Sequence, residues 1–370
     1  MSTPTPAGRG RRPAISNRTR LLLGLAPAAA FLALLFFLFV RSDYRTWLDA
    51  LSQANYAWLI PAGASYFASF YFRSLRWRYL LRPFAETSTA RLYPVVIVGY
   101  MANNILPLRA GEFVRSYYLS RREPVSAPTA LATIVIERVF DGVLMLLLLL
   151  AGVLFLPFSG LPEGLRDAVA IPVWAAAVIM AAPFTLGFVI IVTAARRPGL
   201  FEGLGNGIAR RIPLPMRYRA LLRAFVSRFV GGFAGLHQPG RLAKVAALTL
   251  PVWTMEGITY YLIALGFDLD AHLGSQWLLA GSMLLIISLA NLAISVPLSQ
   301  GGVGPFEIFA ALGLVVLGVE SVQASAYAVV LHAVLLLPVI VVGLLYLAVR
   351  SIPLGELLQS RTEPTVKGAP

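Results

Sequence analysis

Between Tyr100 and Arg115 a hydrophobic run is cut in two. The stretch Tyr100-Met-Ala-Asn103-Asn104-Ile-Leu-Pro107-Leu-Arg109-Ala-Gly111-Glu112-Phe-Val-Arg115 drops its apolar pattern at two asparagines and a proline, then resumes as a charged helix. A second cut, Asn291-Leu-Ala-Ile-Ser-Val-Pro297-Leu-Ser299-Gln300-Gly301-Gly302-Val-Gly304-Pro305-Phe306-Glu307, lies in the other half of the chain. Both contain Pro-Leu-x-x-Gly followed by a glutamate. Within hydrocarbon, a backbone break is tolerated only where it is buried in protein or lines a wet cavity. Paired broken segments in corresponding halves point to a substrate site in a membrane transporter and are consistent with an inverted repeat.

The membrane assignment rests on composition. Of 370 residues, 58% are hydrophobic and 13% charged, against about 25% charged in an ordinary soluble domain. Cysteine is absent, which excludes disulfides and cysteine-ligated metals. The net charge of +14 is almost all arginine, since Lys244 and Lys367 are the only lysines. Base composition accounts for such a bias, and so does phosphate binding through the bidentate guanidinium fork. The bases sit beside apolar spans, where they set topology and attract anionic lipid, so no nucleic-acid partner is expected.

Taken in order, residues 1–20 form a basic cytoplasmic tail, and Leu21–Val40 is a first span of 20 apolar residues, enough for roughly 30 Å of hydrocarbon. A second apolar run, Tyr56–Phe72, leads into Arg73, Arg76, Arg78, Arg82 and Arg91, read as a cytoplasmic cluster. Segment 92–108 is short. If it crossed fully, the loop 196–244, with ten bases against Glu202 alone, would lie outside. The positive-inside rule forbids that, so 92–108 is read as re-entrant from the cytoplasmic face. Spans follow at 129–158, 170–195, 245–267, 277–298 and 323–349, with a short helix at 305–319. The expected fold is an all-α, polytopic membrane bundle of about seven or eight spans with two broken segments. Residues 21–350 form its single domain, residues 351–370 a polar tail, and both termini are cytoplasmic.

Three groups carry candidate chemistry. Arg109, Glu112 and Arg115 recur every three residues on the helix opened by Pro107, either as an interfacial helix with internal ion pairs or as a phosphate clamp. Glu137, Arg138 and Asp141 sit just inside the 129–158 run. Three ionisable groups there are costly unless paired, which marks a functional site; the other reading extends the helix below the membrane. Gly301, Gly302 and Gly304 precede a helix bearing Glu307. Their amides either converge on an anion or form a hinge, with Glu307 complementing the helix dipole. Glu256, within 245–267, is a helix–helix hydrogen bond or a headgroup ligand, and His332 reads as a packed imidazole. No zinc-protease, nucleophile-elbow or P-loop motif is present. Asp268-Leu-Asp270 has the spacing of a glycosyltransferase metal–nucleotide pair, or is a plain external loop.

The set Gly99-Tyr100-x-x-Asn103-Asn104-x-x-Pro107-x-Arg109-x-Gly111-Glu112-x-x-Arg115, then Glu137-Arg138-x-x-Asp141, then Pro297-x-Ser299-x-Gly301-Gly302-x-Gly304-x-x-Glu307 resembles the lysylphosphatidylglycerol synthase transmembrane-region family, over roughly residues 20–350. That resemblance implies a bacterial or archaeal membrane protein associated with lipid translocation. The soluble aminoacyltransferase domain of two-part members has no counterpart here, so lysyl-lipid synthesis is not expected of this chain alone. The expectation is a flippase-like lipid translocator of the plasma membrane rather than an enzyme, without cofactor or metal. Its headgroup site joins Asn103, Asn104, Arg109, Glu112, Arg115, Glu137, Arg138, Asp141, Ser299, Gly301, Gly302, Gly304 and Glu307, and its ligand is a phospholipid or polyprenyl-linked lipid. The alternatives are a glycosyl- or aminoacyl-transferase acting on a lipid carrier, and a non-catalytic subunit docking a cytosolic partner through 196–244.

Overall fold

A computed structural model describes residues 44–106, 110–155, 173–213, 215–236, 238–295 and 300–350. The expected first span, both tails and residues 156–172 lie outside the described residues. So do Arg109 and Ser299.

The described residues form thirteen α-helices and no strand. In chain order these are α1 (Tyr44–Gln53), α2 (Leu59–Leu81), α3 (Thr89–Ile105), α4 (Gly111–Ser120), α5 (Ala127–Phe155), α6 (Val173–Arg196), α7 (Pro198–Arg211), α8 (Met216–Gly231), α9 (Pro239–Gly266), α10 (Leu269–Leu273), α11 (Gln276–Ser295), α12 (Pro305–Val316) and α13 (Ser321–Val349). By length and apolarity, α11 and α13 can each cross a bilayer unaided, and the bent α6–α7 pair makes a third candidate. Helices α2, α5 and α9, of 23, 29 and 28 residues, are long enough at about 1.5 Å per residue but carry ionised side chains, which they bury against one another. The result is a polytopic helical bundle.

Two elements differ from their sequence expectation. Helix α2 does not end near Phe72; it continues through Arg73, Arg76 and Arg78 to Leu81, with Arg73 and Arg76 only 3% and 1% exposed. The segment 196–244 is no loop, because it folds as α7, α8 and the first turns of α9.

Both broken segments are helical hairpins. Helix α4 returns antiparallel to α3: a methyl group on Gly99 would fall 2.8 Å from the Arg115 Cβ, and one on Gly111 would fall 2.5 Å from the Asn103 nitrogen. Helix α12 returns along α11 in the same way, Gly313 lying against Ile286 and Leu289. The breaks themselves meet, since a methyl group on Gly301 would stand 3.3 Å from the Asn104 carbonyl oxygen and 3.1 Å from Leu336 of α13. Gly301, Gly302 and Gly304 have φ of 66°, 82° and 96°, a left-handed region that glycine enters without the steric cost of a Cβ. The tight turn at 301–304, leading into α12, therefore needs those glycines.

The core is a large apolar cluster centred on α2, α3, α9, α11 and α13, with a second, smaller one around Ile136, Phe140, Ile191 and Phe233. Helices α2 and α9 run antiparallel with an extensive interface. The Ser65 hydroxyl of α2 donates to the Met255 carbonyl at 2.7 Å, and the Thr259 hydroxyl of α9 donates to the Ala62 carbonyl at 3.2 Å. Hydroxyls that bond across helices in this way hold two apolar faces in register where hydrophobicity alone cannot.

Candidate functional site

Where α2, α4, α5 and α9 converge, eight charged side chains interlock. Helix α5 presents Thr133, Glu137 and Asp141 at four-residue spacing, hence on one face. Antiparallel to it, α2 presents Arg73, Arg76 and Trp77. The Trp77 indole donates to the Thr133 hydroxyl at 2.9 Å. Arg76 grips Asp141 through two nitrogens, at 2.6 and 3.2 Å, donates to the Thr249 hydroxyl of α9 at 3.0 Å, and lies 3.5 Å from Glu137 Oε1. The Trp253 indole of α9 closes the other side of Asp141 at 2.9 Å. Arg73 pairs with Glu256 of α9 and donates to the Tyr100 hydroxyl at 2.7 Å.

Helix α4 adds Arg115, which donates to Glu137 Oε2 at 2.7 Å and stacks 3.7 Å above the Trp77 ring. Arg138 completes the group: it donates to the Tyr100 hydroxyl at 2.9 Å and contacts Glu112 at 3.1 Å and Asp141 at 3.7 Å. The Tyr100 oxygen thus accepts from two guanidiniums.

The balance is four arginines (Arg73, Arg76, Arg115, Arg138) against four carboxylates (Glu112, Glu137, Asp141, Glu256). Buried ions persist when paired and hydrogen-bonded, because desolvation costs several kcal/mol per ion, on the order of what pairing returns. An incoming anion must therefore displace a carboxylate. Burial identifies the exchangeable one: side chains of the other carboxylates are at most 6% exposed, while Glu112 and Arg138 are 23% and 26% exposed. The pair Glu112–Arg138 is where the network reaches the surface. Within the network, the Arg115 Nε and Nη2 atoms are buried with no hydrogen-bond partner among the described residues. Spare donors on a buried guanidinium are costly, and they are what an additional oxyanion would satisfy.

The third expected group is arranged differently. The Gly304 amide donates to Glu307 Oε2 at 2.8 Å, so the chain's own carboxylate fills the glycine turn and caps α12. This corrects the reading of the glycines as an open anion cradle. His332 of α13 stands 2.7 Å from Glu307 Oε1 and 3.1 Å from the Gly301 carbonyl, with its ring stacked on Phe306. Glu307 and His332 pin the second break, and Asn104 touches that break from the first. Asn103 lies in the α3–α4 contact, its buried Oδ1 without a hydrogen bond among the described residues.

The structure therefore brings Glu112, Arg115, Glu137, Arg138 and Asp141 together, and joins Asn104 to Gly301, Gly302, Gly304 and Glu307 in a neighbouring cluster. Arg73, Arg76, Trp77, Thr133 and Trp253 were missing from the sequence-derived set. For Arg73, Arg76 and Trp77 the signal was an Arg-x-x-Arg-Trp run, 73–77, following an apolar stretch with no turn residue between. Asp268 and Asp270 sit at the far end of α9, where Asp268 takes a left-handed φ of 51°. Among the described residues, no cluster of three or more metal-ligating side chains occurs.

A helical membrane bundle with a charge-balanced buried network, opening at one arginine–carboxylate pair, defines the class. The chain belongs to the lysylphosphatidylglycerol synthase TM region family, whose model matches residues 21–343. It is similar to the glycosyltransferase AglD of Haloferax volcanii, with 29% identity over 352 residues, 87% of this chain and 53% of AglD. It thus spans about half the length of that relative. It is also similar to a UPF0104 membrane protein of Methanothermobacter thermautotrophicus, 25% identical over 270 residues, 70% of this chain and 75% of that one. No solved structure matches. The relationship to a protein named as a glycosyltransferase overturns the expectation of a non-enzyme, which had rested on the missing aminoacyltransferase domain of two-part family members; that domain's absence speaks only to aminoacyl transfer.

Proposed function

We propose that this chain is the lipid-handling membrane part of a lipid-linked glycosyl-transfer activity. It admits the phosphate of a lipid carrier at the Glu112–Arg138 pair and moves that headgroup into the bundle. The observation that supports this is the half-open pair Glu112–Arg138 in the same network as the spare donors of Arg115. A phosphate has the geometry to replace Glu112 on Arg138 and to take up the second face of Arg115, as guanidinium–phosphate pairs are short and bidentate. Balance elsewhere in the network lets the site accept one anion by releasing one carboxylate to water.

Purified protein in vesicles carrying fluorescent phospholipids and polyprenyl phosphates tests the movement. Lipid transfer between leaflets is expected to exceed that of empty vesicles, and Arg138→Gln is expected to reduce the gain. Transfer no faster than in empty vesicles across several headgroups overturns this reading.

A second reading, favoured by the name of the AglD relative, is that the chain itself forms a glycosyl bond on a lipid carrier. Sugar transfer by the isolated chain, lost in an Asp268→Ala/Asp270→Ala variant, would establish it. No transfer, with lipid movement intact, leaves the first reading standing.

A further inference from the structure

The chain bends by 104° between the end of α6 and α7. A span formed by α6 alone, rather than by the bent pair together, leaves α7 close to the membrane plane. On α7, Leu200, Leu204, Ile208 and, just beyond it, Ile212 recur every four residues, and they are 52%, 57%, 58% and 39% exposed. They form one apolar stripe that no described residue covers. The inner side of α7 is occupied: Gly205 lies against Val226 of α8, and Glu202 accepts from the Ser227 hydroxyl at 2.9 Å. Helix α8 in turn is fixed to the bundle, since the Thr129 hydroxyl of α5 donates to the Arg228 carbonyl at 3.1 Å and Gly232 fits against Ala132. The hairpin is thus a rigid platform whose apolar stripe has nothing to bury it.

Charge identifies the occupant. Across 196–244 the bases are Arg196, Arg197, Arg210, Arg211, Arg217, Arg219, Arg223, Arg228, Arg241 and Lys244, against Glu202 alone, and Glu202 is engaged inward with Ser227. Where α2 ends beside this platform, Arg82 and Lys244 both lie over the Tyr79 ring, at 5.7 and 5.4 Å. Aliphatic side chains along one face with bases around them, beside a spanning helix, match the interface of an anionic bilayer: acyl chains meet the stripe and phosphates meet the bases.

We propose that α7–α8 is an in-plane hairpin that binds anionic phospholipid of the headgroup layer, separately from the buried network. Because the chain has no cysteine, single cysteines placed at Leu204, Ile208 and, on the basic side of α8, Ala224 can carry a fluorophore in the full-length protein. The vesicles are phosphatidylcholine with a minority of phosphatidylglycerol, and only one of the two lipids is brominated on its acyl chains. Probes at 204 and 208 should be quenched by brominated lipid and the probe at 224 by aqueous iodide. Brominated phosphatidylglycerol should quench about twofold or more beyond its share of the mixture, and high salt or the triple variant R210Q/R211Q/R217Q should remove that excess. Quenching by each lipid in proportion to its share of the mixture at low salt overturns the anionic selectivity. Iodide access at 204 and 208 without lipid quenching overturns the in-plane placement, and leaves the stripe as a docking face for a soluble protein. All three labelled positions and the three arginines are exposed, so folding does not depend on them; retained phosphatidylglycerol measured by mass spectrometry of the solubilised protein gives a second readout with the same two outcomes.

Discussion

Gly111 lies against Gly99 so closely that a methyl group built on it would fall 2.2 Å from the Gly99 carbonyl oxygen. This contact closes the first hairpin, and it sets the height at which Glu112 and Arg115 reach the network. Gly111→Ala must push α4 away from α3, so both should move from their partners Arg138 and Glu137. Overpacking of this kind costs about 1–3 kcal/mol. Gly63→Ala serves as the comparison, because nothing stands within 4 Å of a methyl group there; exchanging a helical glycine for alanine should be neutral or stabilising by about 0.5–1 kcal/mol. Thermal unfolding of the two purified variants, followed by near-ultraviolet circular dichroism, should move in opposite directions.

The two-point grip of Arg76 on Asp141 is an enclosed ion pair, its side chains 1% and 6% exposed. Removing one partner leaves an uncompensated charge and should cost about 3–5 kcal/mol, whereas replacing both by apolar residues of similar volume can be close to neutral. Asp141→Ala and Arg76→Ala are therefore each expected to lower the unfolding midpoint sharply. The double variant Arg76→Met/Asp141→Leu should recover much of the loss. A double variant no better than the sum of the singles would show that Thr249 and Trp253 depend on these charges as much as the pair does.

Legibility in the sequence differs from element to element. The cut at Asn103–Pro107 is plain, because two asparagine amides and a proline interrupt an apolar run that hydrocarbon alone could not accommodate, and the chain does turn back there. The fold class follows from the apolar runs. Arg73 and Arg76 read as an exit into water because arginines after a hydrophobic segment usually mark one; what reverses that is the antiparallel neighbour α5 with Glu137 and Asp141 at matching height, a tertiary fact with no trace in local pattern. The Gly301–Gly304 turn is recognisable as special, but its occupant is not. A glutamate three residues into the following helix fits capping and ligand balance equally well, and only the Gly304–Glu307 distance separates them.

Glu112 and Arg138 form the partly exposed pair, so neutralising Glu112 should alter ligand binding more than stability. An exposed pair contributes roughly 0–1 kcal/mol, and Glu112→Gln should unfold within a few degrees of the parent. By removing the competing carboxylate from Arg138, it should tighten binding of a soluble short-chain lipid phosphate by about tenfold, on the scale of 1.4 kcal/mol. Arg138→Gln should weaken the same binding by at least as much. Microscale titration of both variants with dihexanoyl phosphatidic acid and with its uncharged diacylglycerol analogue checks the sign. Parallel changes for the two ligands would mean that the pair senses the acyl chains rather than the phosphate.

His332 links the second break to α13, and its surroundings dictate its protons. The Gly301 carbonyl can only accept, so Nε2 carries a hydrogen toward it. Between Nδ1 and Glu307 Oε1, 2.7 Å apart, one shared proton completes the contact, while Glu307 Oε2 still accepts from the Gly304 amide. Glutamine in place of Glu307 can keep both arrangements, its amide NH donating to Nδ1 and its oxygen accepting from Gly304. Alanine keeps neither, and leaving a buried donor without its acceptor costs about 1–3 kcal/mol. Glu307→Gln should therefore unfold close to the parent protein and Glu307→Ala well below it. Hydrogen exchange separates this local account from a general loss of packing: in Glu307→Ala the amides of 300–304 should exchange faster while those of α2 and α9 stay protected. Faster exchange spread evenly over the bundle would instead place Glu307 among the residues that hold the whole core together.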